Sequence, residues 1–189
     1  MTYTFTIREF NKESQLNLYR ECLSDGEWRY KFGLLIEDLD IENYLRSMVL
    51  TEYESVVRLL IYENSNLKGF CHVHICNPIS RRCIMSGGIK PKLVGTGIGV
   101  YIACVVVDHL FRDLNMNKVC CKVYSHNTTS FKMLSRLGFL LEGTAKEHEY
   151  DEMNRKFIDV HFFGLLRKEY PNVFAQKILG RVKYEFAAE

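Results

Sequence analysis

The chain from Ile84 to Leu114 reads IMSGGIKPKLVGTGIGVYIACVVVDHLFRDL. Its apolar first residues predict a strand that ends at the Gly87-Gly88 pair, and a turn containing Pro91 follows. After three closely spaced glycines, the apolar run from Val100 to about Leu114 predicts a helix. A glycine loop between a strand and a helix directs backbone N–H groups and the positive end of the helix dipole to one place. The stretch therefore predicts a pyrophosphate cradle, with an ordinary glycine-rich turn as the competing interpretation.

The glycine spacing excludes two other phosphate-binding loops. In a G-x-G-x-x-G dinucleotide fingerprint that starts at Gly95 and Gly97, the third glycine would fall on Val100. A P-loop ends in Gly-Lys-Ser/Thr, and no such ending is present here. The motif that the stretch does contain is I-x-P-x-x-V-G-x-G-I-G, from Ile89 to Gly99.

Length and composition predict one domain over residues 1–189. The chain has 189 residues, 47% of them hydrophobic, and a net charge of +2 without a dense Lys/Arg stripe, so nothing supports nucleic-acid binding. Its seven cysteines include no C-x-x-C pair, which signals neither a metal site nor a disulfide framework. The N-terminus is unlike a signal peptide, and no apolar run reaches membrane-spanning length. We therefore expect a reduced, cytoplasmic protein that does not bind a membrane.

Periodicity and turn residues predict a mixed α/β sheet with helices between the strands. The stretch from Trp28 to Ile36 is aromatic and stays ambiguous. The predicted strands are Thr2–Phe10, Ser55–Tyr62, Lys68–Cys76, Arg81–Ile89, Lys118–Val123, Phe139–Gly143 and Phe157–Leu166. Four helices are predicted besides that of the opening stretch. The first is capped by Asn11 or Ser14 and ends at Cys22. The others are Ile41–Leu50, Thr128–Leu137 and, in the tail 171–189, Val173–Val182.

The Ile89 to Gly99 motif resembles the acyl-CoA-binding motif of the GNAT superfamily of N-acyltransferases. The chain departs from the family at Val94, where Arg or Gln is usual. A second resemblance lies in N-x-x-S-x-x-x-L-x-x-L-G-F-x-x-E-G, from Asn127 to Gly143, and D-V-x-x-x-G-L-L-x-x-E-Y, from Asp159 to Tyr170. These motifs resemble the branch that acetylates ribosomal-protein N-termini, spermidine and the 4-amino sugars of nucleotide-activated sugars.

The resemblance implies a fold and an activity. The fold is an α/β acyl-CoA N-acyltransferase with a mostly antiparallel sheet, splayed around the CoA site, and helices on both faces. The activity is transfer of an acetyl group from acetyl-CoA to a primary amine by direct attack on the thioester. The first choice of acceptor is an amino sugar, with a peptide N-terminus as another, and a homodimer is left open.

Two alternatives remain at this point. One is a CoA-binding module that has lost catalysis. The other is a polyamine acetyltransferase, whose site would need acidic walls. The early helical region contains six acidic residues that could form such walls or could equally form a solvated face: Glu37, Asp38, Asp40, Glu42, Glu52 and Glu54.

The resemblance also implies which residues hold the cosubstrate. The loop residues Val94, Gly95, Thr96, Gly97, Ile98 and Gly99 would hold the pyrophosphate, with Lys90 or Lys92 replacing the charge missing at Val94. The next helix would contact the CoA arm through Asn127, Ser130 and Lys132. A β-bulge at Gly87-Gly88-Ile89 would expose backbone to pantetheine, and the N–H near Ile89 would polarise the thioester carbonyl.

The proton-transfer groups are less well defined by the sequence. Leu134 occupies the position where many family members have a tyrosine general acid. Tyr124 is a substitute, although the interpretation as a core aromatic is favoured. His72 and His74, on one face of a predicted strand, are candidates for the general base that deprotonates the amine. The further candidates for the base are His126, Glu147, His148 and Glu149.

Overall fold

The computed structural model describes residues 2–9, 12–32, 40–41, 43, 56–77 and 79–187. The strands are β1 (Tyr3–Glu9), β2 (Val56–Glu63), β3 (Asn66–Asn77), β4 (Arg82–Ile89), β5 (Lys118–Tyr124), β6 (Leu140–Asp151), β7 (Lys156–Leu166) and β8 (Val182–Ala187). The helices are α1 (Lys12–Leu23), α2 (Gly26–Phe32), α3 (Ile98–Arg112), α4 (Thr128–Leu137) and α5 (Val173–Leu179), with 3₁₀ turns at Pro91–Leu93 and Arg167–Glu169.

The described strands form one eight-stranded sheet in the order β6-β7-β5-β4-β3-β2-β1-β8. The β4–β5 and β1–β8 pairs are parallel, and the other neighbours are antiparallel. The β2–β3 hairpin turns at Asn64 and Ser65, with φ of 48° and 63°. Two successive positive φ values match the twist of the flanking strands. The predicted mostly antiparallel, mixed sheet is confirmed.

Helices cover both faces of the sheet. On one face α3, α4 and α5 pack on a core that includes Cys71 and Val73 of β3. On the other face α1 and α2 pack on a smaller cluster that includes Phe70 of the same strand. Neighbouring residues of β3 thus point to opposite cores, as the predicted alternation requires.

The sheet opens between β4 and β5, and this gap positions the candidate site. The two strands pair only from Arg82–Ile84 to Lys118–Cys120. Beyond that point β4 continues along β3 to Ile89, while β5 continues along β7 to Tyr124. The splayed sheet that the resemblance implied is therefore present.

The predicted β-bulge at Gly87-Gly88-Ile89 is wrong. The register of β4 on β3 is regular there, and the irregularity lies near Ile75 at the other end. Close approach explains the two glycines instead. A Cβ at Gly87 would lie 2.6 Å from the backbone oxygen of Phe70, and one at Gly88 would lie 2.5 Å from Cζ2 of Trp28.

Three predicted element boundaries also need correction. Helix α3 starts two residues early, at Ile98, which places Gly99 inside its first turn. Strand β6 extends beyond the predicted end at Gly143 to Asp151, with a register shift between Ala145 and Glu149. The tail is helical only to Leu179.

After α5 the tail forms β8, which pairs in parallel with β1. The hydroxyl of Tyr184 donates to the buried carboxylate of Asp108 in α3, and the ring of Phe186 stacks on His109 with 3.4 Å between ring centroids. These contacts attach the end of the chain to the helix that follows the glycine loop.

All seven cysteines are free thiols, and five of them are buried. Burial raises the pKa of the Cys22 and Cys83 thiols to about 12 and that of Cys104 to about 11. These side chains therefore pack as small hydrophobic groups. Among the described residues, no helix is both long and apolar enough to cross a membrane.

Candidate active site

A cavity of about 840 Å³ occupies the gap between β4 and β5. Its walls come from β3, β4 and β5, from Trp28 of α2, and from α3 and α4, which both begin at it. Two helix N-termini, each with a partial positive charge, therefore face one cavity. Such an arrangement favours an anionic, extended ligand that enters the gap.

Beyond Ile84, the gap-facing edge of β4 carries backbone groups that do not pair with β5. Lys90 N–H donates to Lys68 O of β3 at 2.9 Å. Because N–H groups alternate between the two edges of an antiparallel strand, those of Gly87 and Ile89 point to the gap. The carbonyl of Ile89 points to the same edge, where it accepts a hydrogen bond from Nε1 of Trp28 at 2.8 Å. Splaying, rather than a bulge, thus exposes the predicted donor of Ile89.

The glycine loop needs its glycines for backbone conformation. Gly95 and Gly97 have φ of 85° and 86°, a left-handed conformation that side chains disfavour. Gly97 is the N-cap of α3 and makes no side-chain cap bond, and the first turn carries no acidic residue. An anion would therefore meet no competing carboxylate from that turn.

The structure brings together only part of the predicted loop set. Val94, Gly97 and Gly99 line the cavity, whereas Gly95, Thr96 and Ile98 do not. The Thr96 hydroxyl donates to Leu93 O at 2.7 Å, so it serves the loop itself. Ile98 points into the core.

Lys90 does not supply the positive charge that was predicted to compensate for Val94. Its ammonium forms an ion pair with Glu21 of α1 at 2.6 Å and does not line the cavity. Val94 itself is 38% exposed and presents an apolar side chain to the cavity.

Helix α4 presents the predicted Asn127, Ser130 and Lys132 to the cavity. The side-chain oxygen of Asn127 accepts from the Ser130 N–H at 3.1 Å, and Gly138 ends the helix with φ of 97°. The cap predicted from the sequence is thus confirmed. Leu134, at the position of the missing tyrosine, is 3% exposed and lines the cavity, so this helix supplies no phenol there.

Tyr124 ends β5 and lines the cavity. Its ring stacks on His126 with 5.9 Å between ring centroids. It is the one tyrosine among the described lining residues. The other predicted bases, His126, Glu147, His148 and Glu149, do not line the cavity.

His72 and His74 both line the cavity on the face that carries α1 and α2. Nε2 of His72 is hydrogen-bonded to the hydroxyl of Tyr19 in α1. Burial, with a smaller contribution from Arg58, lowers the pKa of His72 from 6.5 to about 4. His72 is therefore neutral near pH 7 and a weak proton acceptor. His74 is exposed to solvent.

Sequence reasoning missed several lining residues, among them Trp28, Ser86 and Lys122. Trp28 lay in the segment that periodicity left ambiguous. Ser86 and Lys122 each alternate with core residues of their strands, a signal that indicates the face but not the gap.

The low pKa of His72 predicts a pH-dependent stability. Between pH 6.5 and 4 the unfolded chain binds a proton that the folded chain excludes, so the free energy of unfolding falls on acidification. From pH 7 to pH 4.5 this contribution should be roughly 2–3 kcal/mol. Urea unfolding of the native chain and His72→Gln at both pH values measures it. The difference between the two chains cancels the effect of the carboxylates that both contain. An equal loss of the free energy of unfolding in both chains would contradict the prediction.

A family model described as "Acetyltransferase (GNAT) domain" matches residues 4–140. The chain therefore belongs to the GNAT acetyltransferase family. Members of this family transfer acetyl groups from acetyl-CoA to amines. Family membership thus confirms the predicted enzyme class, an N-acetyltransferase, and the predicted cosubstrate, acetyl-CoA.

Two curated relatives are named as N-acetyltransferases. The chain is 28% identical over 112 residues to the uncharacterised N-acetyltransferase p20 of Bacillus licheniformis, covering 59% of this chain and 62% of that protein. It is 27% identical over 111 residues to the putative ribosomal N-acetyltransferase YdaF of Bacillus subtilis, covering 59% of each. The match thus spans about three fifths of the length of these relatives.

Among solved structures, a variant of the spermidine N-acetyltransferase of Vibrio cholerae has a TM-score of 0.71 at 20% identity, covering 89% of this chain and 96% of that one. This likeness concerns the fold. The putative ribosomal N-acetyltransferase among the curated relatives agrees with the branch indicated by the sequence.

Proposed function

We propose that this chain, as a single domain, transfers an acetyl group from acetyl-CoA to a primary amine by direct attack on the thioester. The observation that carries the proposal is the opened β4–β5 pair, with the N–H groups of Gly87 and Ile89 facing a cavity at which two helices begin. Pantetheine fits this gap as an additional strand, and the pyrophosphate fits the N-terminus of α3.

Different residues bind the cosubstrate and stabilise the transition state. The loop from Val94 to Gly99 and the α4 residues Asn127, Ser130 and Lys132 hold the CoA. The N–H of Ile89 donates to the thioester oxygen as negative charge develops on it, a contribution typically worth about 3–4 kcal/mol of barrier. Much of the remaining rate arises from holding the amine and the carbonyl carbon together.

The proton balance follows from the side chains that the cavity contains. The ammonium must first lose a proton, and we assign this step to the exposed His74, because the low pKa of His72 makes it a weak acceptor. The amine nitrogen then bonds to the carbonyl carbon, and the C–S bond breaks. With Leu134 in place of a phenol, the second proton of the attacking nitrogen passes to the sulfur. Tyr124 is the one phenol among the described lining residues that can replace this route.

For the acceptor, we propose an amino sugar. The described wall near α2 includes Trp28, Phe70, His72, His74 and Ser86, and no described lining residue is acidic. Aromatic rings pack on the C–H faces of a sugar, while histidine and serine bond its hydroxyls. A polyamine needs carboxylates along its length. The predicted acidic cluster, apart from Asp40, lies outside the described residues.

A panel of amines with acetyl-CoA and a thiol-release readout tests the proposal. The panel contains a nucleotide-linked amino sugar, a peptide with a free N-terminus, and spermidine, and mass spectrometry identifies the acetylated product. Turnover with the amino sugar supports the full proposal. Preferential turnover of spermidine or the peptide overturns the acceptor, and acetyl-CoA binding without turnover of any amine supports the inactive module instead.

A further inference from the structure

Trp28 joins α2 to the end of β4 at two successive residues. Its indole Nε1–H donates to the carbonyl of Ile89 at 2.8 Å. The ring covers Gly88, where a Cβ would lie 2.5 Å from Cζ2. Phe70 supports the indole with 6.1 Å between ring centroids, and Trp28 is only 6% exposed. The position of the indole is therefore fixed by packing as well as by its hydrogen bond.

The peptide bond between Ile89 and Lys90 is held from both edges of β4. On one edge its N–H donates to Lys68 O of β3 at 2.9 Å. On the other edge its carbonyl accepts from Trp28, in the region where β5 has separated from β4. Trp28 thus takes the place of the missing neighbouring strand at this residue.

The helix that carries Trp28 is itself anchored. The backbone N–H of Trp28 donates to the carboxylate of Asp25 at 2.8 Å, and the N–H of Arg29 donates to the carbonyl of Asp25 at 2.9 Å. An acidic N-cap of this kind fixes the first turn of a helix. The indole is thus presented to β4 from a defined backbone.

We propose that Trp28 is a positioning residue that sets the direction of the Ile89 N–H toward the thioester carbonyl. The inference rests on the proposed function, because it assigns the Ile89 N–H to the developing oxyanion. By holding the carbonyl of Ile89, the indole restricts rotation about the backbone bonds of that residue. The N–H of the same residue then points into the gap before acetyl-CoA enters. Preorganised donors of this kind act without reorganisation during the reaction.

Trp28→Phe tests the role, because phenylalanine keeps the packing against Gly88 and Phe70 but lacks the N–H. We expect kcat to fall roughly ten- to a hundredfold, the size of loss that a small misplacement of reacting groups causes. The Kd of CoA should change by less than about twofold, since CoA has no carbonyl at the reacting position. A purely structural role would lower thermal stability and alter the Kd without a selective loss of kcat.

A pair of analogues provides a second readout. Carba(dethia)-acetyl-CoA keeps the carbonyl, whereas S-ethyl-CoA replaces it with a methylene group. The native chain should bind the ketone more tightly than the thioether, and Trp28→Phe should lose most of this preference. An unchanged preference together with an unchanged kcat would overturn the proposal.

Gly88→Ala displaces the indole without changing it. Because Trp28 is the one tryptophan in the chain, its emission reports the displacement directly. We expect Gly88→Ala to lose kcat as Trp28→Phe does, and the double variant to lose little more, since both changes remove the hydrogen bond from the indole to the Ile89 carbonyl. Gly143→Ala is the matched control, because a Cβ there meets no atom within 4 Å.

The two proposals fail separately. If the native chain neither binds acetyl-CoA nor transfers its acetyl group, the proposed function fails. If the native chain is active and Trp28→Phe matches it in kcat and in analogue preference, only the role of Trp28 fails.

Discussion

Gly97→Glu is expected to abolish acetyl-CoA binding while the fold survives, with affinity reduced by more than about a hundredfold through like-charge repulsion. Gly97 is the N-cap of α3 and lines the cavity, and a Cβ there meets no atom within 4 Å. The new side chain therefore has space and places its carboxylate where the pyrophosphate is proposed to bind. A carboxylate at a helix N-terminus also stabilises the helix, which partly offsets the strain of the positive φ.

Gly97→Gln is the matched control, because it adds nearly the same volume and the same backbone strain without the charge. It should keep measurable affinity, so that the difference between the two variants isolates electrostatic repulsion. Circular dichroism verifies the fold, and titration calorimetry gives the affinity. Native affinity in a folded Gly97→Glu variant would mean that the pyrophosphate binds elsewhere.

Ile89→Pro is expected to lower kcat by roughly 10²–10³-fold, the effect typical of losing one oxyanion donor. Proline removes the N–H that points to the gap, and no hydrogen bond to β3 is lost, because β3 pairs through Lys90 instead. The residue before a proline must be extended, as Gly88 already is within β4. The carbonyl that accepts from Trp28 remains.

Ile89→Val keeps the N–H and most of the side chain, so it should retain kcat within about threefold if only the donor matters. Steady-state kinetics with saturating acetyl-CoA measures both variants. A folded Ile89→Pro variant with native kcat would show that the oxyanion is stabilised by another group.

The sequence predicted the parts of the fold that depend on local patterns. The cap of Asn127, the end of α4 at Gly138 and the alternation of Phe70 and Cys71 are set by neighbouring residues, and all are confirmed. The splayed sheet was implied by family resemblance, since no local pattern indicates where two parallel strands separate.

The failures arise from contacts between distant residues. The Gly87-Gly88 pair was interpreted as a bulge, but Gly88 accommodates the ring of Trp28, which lies about sixty residues earlier in the chain. The low pKa of His72 likewise depends on burial near Tyr19 of α1. Strand β8 had a local signal, with Val182, Tyr184 and Phe186 in alternation, but its partner β1 lies at the other end of the chain.

The central claim is that the gap between β4 and β5, with the glycine loop, binds acetyl-CoA, and thermal unfolding with acetyl-CoA or NAD tests it most directly. A ligand at about a hundred times its Kd stabilises the folded state by roughly 2.7 kcal/mol, which raises Tm by roughly 5–10 °C for a chain of this size. We predict this shift with acetyl-CoA and none of comparable size with NAD, because Val100 replaces the third dinucleotide glycine. Equal shifts with both ligands, or no shift with acetyl-CoA, would contradict the account.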